Sequence, residues 1–158
     1  MNIGIFIHSQ SGHSSELGMA TTKKLREKGN TVDIQLMKPL GRVHPRMKHV
    51  EFRDETPDIS SYDALVFGGP IWAFDASPVV LSFIKEIHSL KGKKAICFTT
   101  SGLPTPLSGA KGAIKKMCRQ LEKIGADVLE GEAFFWGFMP GKKAIENVAE
   151  KICVKLTK

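Results

Sequence analysis

The residues best equipped for chemistry sit in three short stretches. The first is Ser9-Gln10-Ser11-Gly12-His13-Ser14. It offers hydroxyls at Ser9, Ser11 and Ser14, a glycine that lets backbone N–H groups converge, and a helix start directly behind. Amides gathered at a helix N-terminus, where the macrodipole favours negative charge, form an anion site. The stretch holds no Lys or Arg. A phosphate there would be bound by neutral donors. The same composition also describes an ordinary serine-rich turn with capping. Several rivals are excluded by spelling. The stretch is not G-x-x-x-x-G-K-[ST], so it is no P-loop. It is not G-x-G-x-x-G, the dinucleotide fingerprint. It is neither C-x5-R, as in small tyrosine phosphatases, nor the G-x-S-x-G elbow of hydrolases.

The second stretch is Gly68-Gly69-Pro70-Ile71-Trp72, followed by Ala73, Phe74 and Asp75. The third is Thr99-Thr100-Ser101-Gly102, followed by Leu103-Pro104-Thr105-Pro106. Asp75 is placed to receive a proton, but no base partner is legible. His44 and His49 lie in a basic run with Arg42, Arg46, Lys48 and Arg53. Nothing there has the spacing of metal ligands, and the run reads as a solvated surface. Cys97, Cys118 and Cys153 are scattered, with no C-x-x-C. An odd, dispersed count argues against a disulfide framework and predicts buried thiols in a reducing cytoplasm.

Strands and helices alternate along the chain. Residues 3–7 form a continuous apolar run, the mark of a buried strand. Residues 13–28 follow as a helix stopped by Gly29-Asn30. Residues 31–37 alternate apolar and polar, which predicts a strand with one exposed face or at an edge. Residues 38–61 carry Pro39, Gly41, Pro45 and Pro57 and read as a long irregular connection. The spacing of Leu40, Val43, Met47 and Val50 allows a short helix within it. Residues 64–67 form the third strand, closed by Gly68-Gly69-Pro70. Ser77-Pro78 starts a helix, with serine as cap and proline in the first turn. Residues 94–99 are a fourth strand, and 108–124 a helix. Residues 127–135 are a fifth strand kinked at Gly131. The last helix shows an apolar stripe of Ala144, Ile145, Val148, Ala149, Ile152, Cys153 and Leu156. Trp136 and Phe138 read as core or rim packing, with an aromatic cover over the site or a subunit contact as the alternative.

Five strands alternating with helices predict a three-layer α/β domain built on a mostly parallel sheet. The 158 residues fit a single domain, 1–158. Ligands of such sheets bind beyond the carboxyl ends of the strands. Those ends carry the three stretches named above. A hydrophobic fraction of 42% and a charged fraction of 25% exclude a disordered tail, a collagen and a coiled coil. No apolar run reaches the ~18 residues of a membrane helix. The N-terminus has no basic region of the signal-peptide kind. The formal net charge of +7 invites a nucleic-acid reading. The excess is spread over helices, as at Lys23-Lys24, Lys115-Lys116 and Lys142-Lys143, with few interleaved aromatics, and predicts no nucleic-acid partner.

The first stretch resembles the flavodoxin phosphate loop, [ST]-x-[ST]-G-x-[ST]. Tyr62-Asp63, the apolar run 64–67 and Gly68-Gly69-Pro70-Ile71-Trp72 are similar to that family's strand-three signature. The helix from Ser77-Pro78, with Phe83, resembles the family's next helix, and Thr99-Thr100-Ser101-Gly102 its flavin-closing loop. The resemblance spans the chain apart from residues 38–61. It implies a flavodoxin-like fold: a five-stranded parallel sheet, order 2-1-3-4-5, with helices on both faces. It implies non-covalent FMN. The 5′-phosphate would lie on Ser9, Gln10, Ser11, Gly12, His13 and Ser14. The ring would lie against Pro70, Ile71, Trp72, Ala73 and Phe74, with Thr99, Thr100, Ser101 and Gly102 closing on it. A flat ring with polar edges needs apolar walls and backbone donors at its rim. Trp72 is the first wall candidate and Phe74 the second. No residue is assigned a catalytic role, and no metal is expected.

Two departures matter. Electron-carrier flavodoxins are acidic, and this chain is basic. Its only tyrosine, Tyr62, precedes strand three, so no tyrosine marks the third loop. One reading is a flavodoxin-type electron carrier docking a redox partner protein, an acidic ferredoxin-like one. A second is an NAD(P)H-dependent FMN quinone or flavin reductase. A third is a flavin-free interaction domain. The expected setting is cytoplasmic, without membrane, as monomer or homodimer.

Overall fold

The first strand, β1 (Asn2–Ile7), is buried from its second residue onward. Its side chains alternate between two cores. Ile3, Ile5 and Ile7 join Leu17, Leu25, Val66, Phe98, Ile152 and Leu156 on one face. Phe6 joins Phe67, Val80, Phe83, Met117 and Leu121 on the other. A strand buried on both faces has no polar side, which explains the unbroken apolar run. The computed structural model describes residues 1–138 and 141–158.

The chain continues through α1 (His13–Glu27), β2 (Thr31–Leu36), β3 (Ala64–Trp72), β4 (Asp75–Ala76) and α2 (Pro78–Glu86). Then come β5 (Lys94–Ser101), α3 (Thr105–Ser108), α4 (Ala110–Lys123), β6 (Asp127–Val128), β7 (Glu132–Phe135) and α5 (Gly141–Thr157). The sheet order is β2-β1-β3-β5-β6, with β7 also paired to β5. These pairs are parallel. Strand β4 is only the return arm of a hairpin on β3. With that arm set aside, the order is the expected 2-1-3-4-5. Helices α1 and α5 cover one face, α2 and α4 the other. Among the described residues no helix is long and apolar enough to cross a membrane.

Three local expectations change. Strand β3 does not close at Gly68-Gly69-Pro70 but runs on to Trp72. Gly68, Gly69 and Pro70 keep pairing with Phe98, Thr99 and Thr100 of β5. On its other side β3 is already free, because β1 ends at the Ile7–Gly68 pair. Proline lacks an N–H and is tolerated in a strand where one side is an edge. Likewise β5 extends to Ser101, so Thr99 and Thr100 are strand residues. The third change concerns residues 38–61, where no helix forms. Pro39 bridges Phe52, the Leu40 N–H donates to the Glu51 carbonyl, and the Arg53 N–H donates to that of Lys38. Pro45 has no N–H to give and pushes its predecessor out of the helical region. The segment is a strap pinned by buried Val50, whose N–H donates to Ser82 Oγ at 3.0 Å. The fifth strand is broken around Gly131 as expected, giving β6 and β7.

Candidate functional site

The ends of β1, β3, β5 and β7 bring the three stretches to one side of the sheet. Residues 9–12 leave β1 as a loop exposed at Gln10 and Ser11 and turn into α1 at Gly12, with φ of 91°. A Cβ at Gly12 would meet nothing within 4 Å, so the left-handed backbone, not crowding, is what glycine supplies. No side chain caps α1. The Ser15 N–H reaches Ser9 Oγ at 3.4 Å, and the Glu16 N–H donates to the Gly12 carbonyl. Among the described residues, the His13 and Ser14 amides find no acceptor. These are the orphan donors of a helix N-terminus, which an anion satisfies. Gln10 and Ser11 are exposed beside them.

Two buried hydrogen bonds lock this loop to its neighbours. Ser14 Oγ and Thr100 Oγ1 lie 2.8 Å apart, tying α1 to β5. Their hydroxyls therefore serve each other. His8 Nδ1 lies 2.8 Å from Ser77 Oγ. Ser77 Oγ already accepts from the Val79 and Val80 amides as the cap of α2. Its proton is then left to donate to His8 Nδ1, so the imidazole is neutral with its proton on Nε2. Burial lowers the His8 pKa to about 4, in agreement. Sixty-nine residues separate His8 from Ser77, so no local sequence pattern marks the pair.

The second stretch ends in a hairpin. Ile71 pairs with Ala76 and Trp72 with Asp75, across a turn of Ala73 and Phe74. Ala73 has φ of 51° and Phe74 of 64°. Two successive left-handed residues give the turn whose twist suits a two-residue hairpin. Neither is Gly, Asn or Asp, so each costs about 1–2 kcal/mol. Surrounding contacts hold the strain. Gly109, with φ of 83°, lies so close that its Cβ would stand 2.2 Å from the Phe74 carbonyl oxygen. Lys116 Nζ pairs with Asp75 Oδ2 at 2.8 Å, and the Ala76 N–H donates to Asp75 Oδ1 at 2.7 Å. Burial pushes the Asp75 carboxyl up, but those two bonds outweigh it and the net shift is downward. Asp75 is thus a paired carboxylate and not the proton acceptor its position suggests.

The third stretch closes the other side. Ser101 Oγ donates to the Leu103 carbonyl, and Ser108 Oγ accepts from the Ala110 N–H. A cleft of about 200 Å³ opens between hairpin and loop, lined by Ile71, Ala73, Phe74, Ser101, Gly102, Leu103 and Ser108. Phe74, 67% exposed, stands at the hairpin tip and belongs to neither core. Trp72 does not line this cleft. It lies against His8, with ring centroids 5.6 Å apart, and lines a second cleft on the α2–α4 side. Thr99 Oγ1 is buried and has no partner among the described residues. Pro70 is half-buried in β3 opposite Thr100.

Trp136 supplies a contact that spacing did not reveal. Its ring stacks on His13, centroids 4.0 Å apart and planes within 10°. A Cβ on Gly102 would stand 2.8 Å from the same ring. The Trp136 N–H donates to the Ser101 carbonyl. It therefore joins the first stretch to the third. The only sequence signal was its place just after the fifth strand. Among the described residues no group of three or more His, Cys, Asp or Glu is disposed to hold a metal.

The chain's fold matches solved flavodoxins over nearly its whole length. Flavodoxin 2 from Bacillus cereus superposes with a TM-score of 0.76 at 18% identity, covering 99% of this chain and 97% of that one. The Streptococcus pneumoniae TIGR4 flavodoxin gives 0.74 at 15% identity, covering 99% and 97%. Flavodoxin 1 from Bacillus cereus gives 0.73 at 20% identity, with the same coverage. No curated protein matches the sequence. A family model described as Flavodoxin matches residues 42–139. That range takes in much of the strap, where the sequence pattern is faint, and leaves the loop of residues 9–14 outside. With more than half of the chain matched, the chain belongs to the flavodoxin family of flavin-dependent redox proteins.

Proposed function

We propose that the protein binds FMN and carries electrons between a donor and a redox partner protein. The observation that carries this reading is the open N-terminus of α1. It offers unpaired His13 and Ser14 amides, a left-handed Gly12 and the exposed Ser11 beside them. A phosphate dianion fits such a cradle without any Lys or Arg. The cleft between hairpin and third loop supports a flat ring, with Ile71, Phe74 and Leu103 as apolar walls and Ser101, Gly102 and Ala73 supplying backbone groups. The Trp72 side chain lies against His8 and lines the cleft on the hairpin's other side. FMN, when bound, supplies the electron-accepting chemistry, and the protein supplies binding, orientation and electrostatics. In this reading the left-handed Ala73 and Phe74 would set the peptide presented to the ring. Three free cysteines fit a reducing, cytoplasmic setting.

The NAD(P)H-reductase reading differs in one requirement, an open ring face for hydride transfer. Anaerobic mixing of the FMN-loaded protein with NADH or NADPH separates the two. A carrier leaves the flavin band near ~450 nm unchanged over minutes, and stepwise chemical reduction then bleaches it. Rapid bleaching by the nicotinamide would replace the carrier reading with the enzyme. A colourless protein whose melting FMN does not alter would replace both with a flavin-free interaction domain.

A further inference from the structure

The hairpin of Trp72 to Asp75 separates two clefts. One is the small cleft assigned above to the ring. The other, about 560 Å³, lies between the strap, α2, α4 and the hairpin itself. Arg46, Lys48, Lys85 and Lys116 line it, and Asp75 is its only carboxylate. That carboxylate is already paired with Lys116. Arg46, Lys48 and Lys85 make no ion pair among the described residues. Ala73 lines both clefts, so the basic one begins where the ring cleft ends.

A second feature lies across the hairpin. Phe74 is 67% exposed, Leu103 46% and Leu107 65%. Phe74 and Leu103 line the ring cleft, and Leu107 precedes its lining residue Ser108. Large apolar side chains grouped at a mouth mark a docking surface for a macromolecule. An apolar centre flanked by charge is the anatomy of a protein interface. A small anion would use the cations and leave these side chains in water.

We infer that an acidic redox protein docks here. Its apolar contact covers Phe74, Leu103 and Leu107, and its carboxylates enter the basic cleft beside Trp72. The inference rests on the ring lying between the hairpin and the third loop. One-sided charge would steer the partner so that its redox centre meets that mouth. Arg46, Lys48, Lys85 and Lys116 then place part of the chain's positive charge at one flank of the site.

The test titrates an acidic [2Fe–2S] ferredoxin into the FMN-loaded protein at low salt, with binding read by amide chemical shifts. FMN content is read first, by absorbance, so a failure to bind flavin is seen separately. The titration itself does not require the flavin. Three proteins are compared: wild type, the cleft triple Arg46→Glu/Lys48→Glu/Lys85→Glu, and a control triple Lys23→Glu/Lys143→Glu/Lys151→Glu on α1 and α5. Both triples change net charge equally. The expected result is a loss of about tenfold or more in the cleft triple and less than about threefold in the control, the difference vanishing at high salt. Phe74→Ser with Leu107→Ser should also weaken binding, without changing its salt dependence. Equal losses in both triples would reduce the effect to net charge and overturn the proposal. So would a wild type that binds no ferredoxin, or ADP shifting the Arg46, Lys48 and Lys85 amides where ferredoxin does not.

Discussion

Ser14 Oγ and Thr100 Oγ1 share a buried hydrogen bond of 2.8 Å across eighty-six residues of sequence. It fixes the first turn of α1, where the unpaired amides lie, to the end of β5, which carries the third loop. The start of α1 and the end of β5 are therefore tied directly to each other. Ser14→Ala and Thr100→Val each leave the other hydroxyl buried without a partner. Each should cost about 1–3 kcal/mol of stability. The double variant should cost clearly less than the sum. Chemical denaturation of the four proteins measures the coupling. Strict additivity would mean that the two hydroxyls do not depend on each other.

The strained hairpin depends on Gly109. An alanine there must hold φ near 83° and place its Cβ against the Phe74 carbonyl. Gly109→Ala should lose about 2 kcal/mol or more, combining the left-handed cost with the clash. Gly112→Ala is the counterpart. It lies in α4 with open space around its Cβ. It should gain about 0.5–1 kcal/mol through helix propensity. Thermal melts of the pair should move in opposite directions. A Gly109→Ala protein as stable as wild type would remove the support assigned to this contact.

His8 makes stability fall in acid. Burial lowers its pKa from 6.5 to about 4. Between those values the unfolded chain takes the proton more readily than the folded one. The contribution is fully present above pH 6.5 and is lost as pH falls toward 4. The whole span amounts to about 3 kcal/mol. His8→Gln should flatten this part of the pH profile, while costing about 1 kcal/mol at pH 8 through the weakened Ser77 bond. A variant with the wild-type acid slope would assign the slope to other groups.

The three thiols should react unequally. The neighbouring Cys97 holds the Cys118 thiol below the usual range, while Cys118 and burial push Cys97 well above it. Burial raises Cys153 to about 11. Cys118 is half-buried, whereas Cys97 and Cys153 are fully buried. Iodoacetamide on the folded protein should label Cys118 first, since the thiolate is the nucleophile. Cys97→Ala should slow that labelling at neutral pH and shift its pH profile upward. Peptide mass spectrometry reads both, and first labelling at Cys153 would contradict the assignment.

The strand and helix alternation was legible because β1 and the core of β3 carry apolar residues on both faces, and α5 carries a clear stripe. The cap at Ser77 and the turn at Gly12 were legible from local chemistry. What local chemistry hides is where a strand stops. Gly68-Gly69-Pro70 reads as a terminator, yet pairing with β5 carries it to Trp72. The same limit hid the hairpin, since Ala73-Phe74 lacks the glycine or asparagine that announces such a turn. The motif marks Trp72 as a ring-wall candidate, but only the fold shows that it lies against His8 and lines the basic cleft. The strap of residues 38–61 is held by Pro39–Phe52 and Val50–Ser82 contacts, which have no sequence periodicity. His13 and Trp136 meet only in three dimensions.

The central claim is that the amides behind Gly12 hold the phosphate of FMN. Its most direct measurement is a fluorescence titration of FMN with the flavin-free protein, wild type beside Ser11→Asp. Ser11 is exposed next to those amides. Its aspartate would set a carboxylate against the dianion and weaken affinity at least about tenfold, with the melting temperature of the flavin-free protein unchanged. The predicted result is stoichiometric quenching by wild type and that loss in the variant. Equal FMN affinity in the two proteins, or no quenching by wild type, would contradict the account.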